Sequence, residues 1–356
     1  MLPMKHNDTE ILTALPARLL PWFAQNKRAL PWRADREPYH VWLSEIMLQQ
    51  TRVEAARGYY TRFLQTLPNV ASLAAASPDT LNKLWEGLGY YTRVRNLQAA
   101  AKEIMSTHSG VFPTDFAAIR ALPGIGDYTA GAIASICFEQ PTPAVDGNVL
   151  RVFARLLADP RPVTDEATRR AVRAVLAEVY PAGHCGDFTQ ALMELGATVC
   201  VPNGAPDCAG CPLRDLCRSQ ADGGWQAYPV RPSKKARRVE ELTVFVLTCD
   251  GKSAIRRRPE QGLLAGLWEF PNVPGLLDAQ AALHRAEEWG VHPRQLLRQV
   301  GRTHVFTHVQ WQMRCFYIEC AAASPQLLWA DEAALDGAYA LPTAFRQFRE
   351  HTANHA

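Results

Sequence analysis

No run of eighteen apolar residues occurs in the 356-residue sequence, so no membrane-spanning helix and no membrane partner are expected. The first ten residues, MLPMKHNDTE, lack the apolar stretch of a secretion signal, which points to a cytoplasmic, reducing compartment. An excess of one charge is also missing: 38 Lys and Arg against 35 Asp and Glu leave +3, too little to argue by itself for a polyanionic partner. Repeats and low-complexity tracts are absent. An even cysteine count is lacking too, since there are nine and four of them crowd between 200 and 217, which speaks against a secreted disulfide framework and for metal or cluster ligation. With 47% hydrophobic and 21% charged residues the chain can fill two or three packed domains.

Strand signals are nearly missing from about residue 10 to 220, where apolar residues recur at three and four, as in TEILTALPARLLPWFAQN and PYHVWLSEIMLQQTRVEAARGYYTRFLQTL. This part reads as several short helices. After Cys217, SQADGGWQAYPVRPSKKARR is rich in Gly, Pro and basic residues and has no apolar period, the mark of a linker. ELTVFVLTCDGKSAIRRR then holds two β-rich runs joined at Asp250-Gly251, a hairpin signal, and HVFTHVQWQMRCFYIEC adds a further β-rich stretch. The expected organisation is a helical region over 1–227, a linker over 228–239 and an α+β domain over 240–356.

Gly124 and Gly126 lie between two helical runs in ALPGIGDYTAGAIASICF, and both are free to take backbone conformations closed to other residues. Amides at such a turn, beside a helix N-terminus, hold a phosphate without reading sequence. LPGIGxxTA between helices resembles the helix-hairpin-helix of DNA repair glycosylases. Asp146, twenty residues beyond Gly126, matches the aspartate of those enzymes, whose carboxylate stabilises positive charge at C1′ as the base departs. Without that context, Asp146-Gly147 would read as a turn.

WLSEIMLQQTRV, residues 42–53, resembles the adenine DNA glycosylase (MutY-type) family. The resemblance implies that Glu45 protonates adenine N7, and that Leu30, Trp32, Arg33 and Gln190 line the base pocket. By itself Glu45 would read as a surface residue of a first helical turn. The family's run continues through Leu48, Gln49, Gln50 and Thr51, whose side chains enter the duplex at the lesion, and Tyr90 matches a tyrosine wedged beside oxidised guanine. From periodicity alone Leu48 and Tyr90 would be core residues, and Arg93 and Arg95 either touch phosphates or are solvated.

In bifunctional members resembling endonuclease III the second hairpin helix begins with a lysine that forms a Schiff base. Here Tyr128 occupies the place, which implies a monofunctional enzyme leaving an abasic site, with Asn148 positioning water or Asp146. Cys200, Cys208, Cys211 and Cys217 form C-x7-C-x2-C-x5-C, and thiolates so spaced ligate zinc or a [4Fe-4S] cluster. The resemblance implies the cluster, although the family's first gap is six residues and here VPNGAPD makes it seven. Cys137, Cys185, Cys249, Cys315 and Cys320 are expected to be buried thiols.

Residues 262–291 resemble the box-bearing region of a Nudix hydrolase, with Glu287, Glu288 and Gly290 at its end, but Leu283 and His284 replace an Arg-Glu pair. Such a ligand set is broken for magnesium-assisted hydrolysis. What the resemblance leaves is recognition of 8-oxoguanine, with Phe306, Thr307 and His308 matching a Phe-Ser-His loop. The whole reading is a multidomain, monomeric adenine glycosylase: an all-α helix-hairpin-helix region with an iron-sulfur loop, then an α+β Nudix-like domain, acting on duplex DNA with adenine opposite 8-oxoguanine or guanine. A pyrimidine glycosylase with lyase activity, a nucleotide hydrolase and a redox-responsive DNA-binding protein are the rivals.

Overall fold

The computed structural model describes residues 8–221, 223–232 and 236–349. Among them the chain forms two compact units. One holds the chain to Ala75 and from Asn96 through Pro232, and the other holds Ala76–Arg95 together with the chain from Ala236 onward. Residues 76–95, expected with the helical region, therefore pack with the second unit.

The helices up to the linker are α1 (Asp8–Thr13), α2 (Leu15–Asn26), α3 (Pro38–Leu48), α4 (Val53–Thr66), α5 (Val70–Ala75), α6 (Pro78–Leu84) and α7 (Thr92–Thr107). After them come α8 (Phe116–Ala121), α9 (Asp127–Phe138), α10 (Gly147–Leu156), α11 (Glu166–Ala177), α12 (Cys185–Thr198) and α13 (Arg218–Ala221). A core joins Leu15, Leu19 and Phe23 of α2, Val149, Val152, Phe153 and Leu156 of α10, and Phe188, Leu192 and Leu195 of α12. Their spacing of three and four puts each set on one helix face.

α3 departs from that amphipathic rule: eight of its eleven residues are buried, so it runs through the interior with no solvated stripe. The helical reading across residues 38–67 also needs correction, because α3 ends at Leu48 and Gln50 turns left-handed at φ 59 before α4 begins. α12 approaches α10 closely: a Cβ added at Gly196 would lie 2.6 Å from Asn148 Cβ.

Of the expected linker, residues 233–235 lie outside the described residues. Its ends are not free chain. Val230 O accepts from Val163 N at 3.2 Å, and Arg238 and Val239 already belong to β1 (Arg238–Cys249).

The second unit is built on a sheet of β1, β2 (Lys252–Arg257), β3 (Trp268–Glu269), β4 (Asn272–Pro274), β5 (Pro293–Val305), β6 (Val309–Cys320) and β7 (Leu328–Ala330). The order is β3-β2-β1-β6-β5, with β4 on β1 and β7 on β2, and β1 runs parallel to β6. Asp250 (φ 49) and Gly251 (φ 73) form the expected turn, both left-handed as a twist-matched two-residue hairpin requires. Along β1, Val244 and Val246 face a core with Phe345 and Phe348, while Phe245 and Leu247 face Ala282 and Ala286 of α14 (Ala279–Glu288). With α15 (Glu332–Gly337) and α16 (Thr343–Arg346) on the first face and α14 on the second, β1 is covered twice, which explains its unbroken apolar run. The stretch expected as β-rich from His304 to Cys320 contains a hairpin turn: β5 ends at Val305, residues 306–308 turn, and β6 returns. Leu283, on α14, is partly buried against the core of Phe245, Leu247, Ala282 and Ala286, and exposed His284 lies 3.7 and 3.6 Å from Glu287 and Glu288.

Candidate active site

Glu45 sits in the last turn of α3 and is only 7% exposed, so the surface reading of it is overturned. Burial pushes its carboxyl up to about 7, with the charge of Asp146 adding to the rise. The Tyr128 hydroxyl donates to Glu45 Oε2 and opposes that rise, as does the charge of Arg33. Tyr128 is the second residue of α9. Burial, then the neighbouring carboxyls of Glu45 and Asp146, hold its phenol well above the ordinary tyrosine range, so it stays a donor.

Asp146 is the N-cap of α10: its Oδ1 accepts from Val149 N at 2.8 Å. Its other oxygen accepts from Asn148 Nδ2 at 2.7 Å. Burial raises the Asp146 carboxyl, while these two hydrogen bonds favour its anion. Asn148 thus orients Asp146. It is itself oriented by Arg151, 3% exposed, whose Nη2 donates to Asn148 Oδ1 at 2.8 Å and to Gly196 O at 2.7 Å, and whose Nε donates to Cys200 O at 2.8 Å. A continuous line of hydrogen bonds links the cysteine loop to Asp146.

These side chains open on a cavity of about 1380 Å³. Leu30, Trp32, Arg33, Leu48, Gln49, Gln50, Thr51 and Gln190 line it together with Glu45, Tyr128, Asp146 and Asn148. Arg33 is fixed by Glu194, at 2.9 Å, which also takes a bond of 2.8 Å from Arg28. Burial opposes the Glu194 charge, but the hydrogen bonds from Arg28 and Arg33 more than offset it and bring the carboxyl down to about 2. Glu194, Arg28 and Arg151 escape the sequence reading. A signal existed for two of them: Glu194 lies four residues after Gln190, and Arg151 three after Asn148, on the same helix faces.

The hairpin of α8, residues 122–126 and α9 differs from expectation at one glycine. Gly124 is left-handed (φ 75), whereas Gly126, the N-cap of α9, has φ −95 and ψ 179, which any residue adopts. A Cβ at Gly126 would meet nothing within 4 Å. Asp127 beside it pairs with Arg120, and with Arg173 at 2.6 Å.

Cys200, Cys208, Cys211 and Cys217 line one small cavity of about 30 Å³, and Arg155 Nη1 donates to Cys200 Sγ at 3.3 Å. None of the four is joined in a disulfide. Of the remaining cysteines, Cys185, Cys249, Cys315 and Cys320 are buried, but Cys137, at the end of α9, is partly exposed.

In the second unit the residues matched to the lesion lie together. Tyr90, 47% exposed, meets Thr307 through their hydroxyls. Phe306 closes the β5–β6 turn by donating from its N to Val309 O at 2.8 Å, and its ring stands edge-on to Trp311. Thr307 and His308 are exposed at the tip. Arg93 is part-buried and donates to the Leu88 and Gly89 carbonyls, while Arg95 is exposed and donates to Ala265 O at 2.9 Å.

Residues 43–178 match the HhH-GPD superfamily of base excision DNA repair proteins, and residues 243–351 match the NUDIX domain. The chain is 35% identical to the adenine DNA glycosylase of Mus musculus, with 97% of this chain and 80% of that protein covered. With the adenine DNA glycosylase of Homo sapiens it shares 35%, covering 89% and 69%. Among solved structures, a thermostable thymine-DNA glycosylase superposes with a TM-score of 0.56 at 24% identity, covering 61% of this chain and 99% of that one, a likeness of fold.

Proposed function

The chain belongs to the adenine DNA glycosylase family of base excision repair enzymes, and from that premise we propose that it hydrolyses the N-glycosidic bond of adenine paired with 8-oxoguanine or guanine in duplex DNA, without cutting the strand. The observation that carries this reading is a pair of buried carboxyls on one cavity. Burial raises both, Glu45 to about 7 so that it keeps a proton to give near neutral pH, while Asp146 accepts two hydrogen bonds that favour its anion.

The neutral Glu45 gives its proton to adenine N7, which makes the base a better leaving group as the glycosidic bond breaks. Asp146 faces the positive charge that develops at C1′, with Asn148 and the α10 N-terminus fixing its direction. Glu45, now ionised, takes a proton from the water that attacks C1′, and adenine and an abasic sugar result. Tyr128 supports a monofunctional outcome because a phenol cannot form the imine that a lysine would. Leu48 through Thr51, on the cavity rim, suit entry into the helix where the base has left the stack.

The four clustered cysteines suit a [4Fe-4S] group, since all of them line one cavity and their spacing resembles that of the family. When bound, the cluster supplies a crosslink that stiffens the loop, and Arg151 and Arg155 tie that loop to α10. Phosphate binding belongs to the 122–126 hairpin, and reading of the opposite base to Tyr90, Phe306, Thr307 and His308.

A single-turnover assay on a labelled duplex with adenine opposite 8-oxoguanine, run with and without alkali, tests this. Strand breaks only after alkali are expected, with slower release opposite guanine and none from a thymine opposite 8-oxoguanine. Breaks without alkali would assign lyase activity, and no adenine release by well-folded protein would refute the reading.

A further inference from the structure

The loop over residues 85–90, between α6 and α7, is backbone-strained. Gly87 (φ 101), Gly89 (φ 70) and Tyr90 (φ 48) are all left-handed, and for a tyrosine that conformation persists only when its surroundings impose it. The surroundings are on hand. Trp85 Nε1 donates to Gly89 O at 3.0 Å, Arg93 Nη2 donates to the Leu88 and Gly89 carbonyls at 3.0 Å each, and its guanidinium lies over the Trp85 and Tyr90 rings. Those contacts are internal to the segment and do not say what it stands on.

Lys83 and Glu86 supply that footing. Lys83 Nζ bonds Glu86 Oε2 at 2.8 Å and also donates to Leu335 O at 3.0 Å and Tyr339 O at 3.4 Å. The other oxygen of Glu86 accepts from Leu341 N at 2.8 Å. One ion pair therefore clips residues 335–341 from two sides. It is shielded, with side-chain exposures of 20% and 11%, where such bonds are worth more than at an open surface.

We propose that Lys83 and Glu86 are positioning residues for recognition of the base opposite adenine: they fix the 85–90 loop so that Tyr90 stands beside Thr307 before DNA arrives. This rests on the reading above that Tyr90 and Thr307 meet that base. A wedge already ordered spares the complex the entropy of ordering it, so the latch acts on affinity and discrimination and leaves the bond-breaking step alone.

The test compares Lys83→Met, Lys83→Arg and Tyr90→Ala in the full, metal-loaded chain. Binding is measured to duplexes with an uncleavable 2′-fluoro adenosine opposite 8-oxoguanine or guanine, and adenine release at saturating enzyme. Lys83→Met is expected to weaken binding opposite 8-oxoguanine about ten-fold and opposite guanine far less, with the saturated rate kept within about two-fold and most of the loss recovered in Lys83→Arg. Unchanged binding in Lys83→Met overturns the proposal. So does a parallel fall in both affinities and rate with lowered thermal stability that Lys83→Arg does not repair. If Tyr90→Ala keeps full discrimination, the reading of Tyr90 fails and takes the latch with it. If Tyr90→Ala loses discrimination while Lys83→Met keeps it, the latch alone fails. Should Lys83→Met not fold, Glu86→Gln, which keeps an acceptor for Leu341 but loses the charge facing Lys83, must show a smaller loss in the same direction, and no loss overturns the proposal.

Discussion

Glu45 shows how one residue's surroundings set both activity and stability. Its carboxyl is raised, to about 7, so the protonated form is the one the fold favours. The rate of adenine release at saturating enzyme is therefore expected to fall about ten-fold per pH unit above pH 7 as the acid is lost, a slope that a rate-pH profile reads directly. Stability runs the same way: native Glu45 holds its proton where the unfolded chain has lost it, so stability declines as pH rises from about 4 to about 7 and then levels. Glu45→Gln removes that burden. It should abolish release and raise unfolding free energy at pH 8 by up to roughly 3 kcal/mol, with no gain below pH 4, measured by urea denaturation. The identity of Glu45 was legible in EIMLQQT, but its burial followed only from the resemblance and not from the helical period. Burial depends on α3 being enclosed on every side, and enclosure leaves no period along a single helix. Arg33 was legible likewise, while its partner Glu194 arrives from α12, far along the chain.

At the scale of elements, the hairpin before α9 separates two glycines that look equivalent in LPGIG. Gly124→Ala must place a Cβ at φ 75 and 2.5 Å from Asn96 Cβ, which should cost about 2 kcal/mol or more in thermal unfolding. Gly126→Ala meets no protein atom, so its stability should stay within about 0.5 kcal/mol. Weaker binding to undamaged duplex at low salt in Gly126→Ala, with stability kept, would place a phosphate there, and unaltered binding would remove it from the contact. The sequence made the helix-turn-helix visible through its glycines and periodicity. It hid the break after Leu48, because Gln49 and Gln50 carry none of the usual marks of a turn. It hid β5 for another reason: PRQLLRQVGRTHV lies at the sheet edge, alternates between part-buried and exposed positions, and so lacks the apolar content of a strand covered on both faces.

For the whole molecule, the change of composition after Cys217 marked where helices give way to strands, and the four-cysteine loop was visible in its spacing. The purified chain is expected to carry about four iron and four sulfide per protein, and stripping them should lower the melting temperature and DNA affinity together. Zinc in place of iron would refute the cluster. Grouping in space was not legible, since nothing in LWEGLGYYTRVRNL says that residues 76–95 pack with the strands that follow far downstream. That grouping changes what a domain deletion means. A chain cut in the linker would shed not only the Phe306–His308 turn but also the carbonyls and amide that Lys83, Glu86 and Arg95 hold, leaving three charged side chains and a strained loop without their support. A truncated enzyme is then altered on both sides of the cut, and any preference it loses reports on the retained tyrosine loop as much as on the strands that were removed.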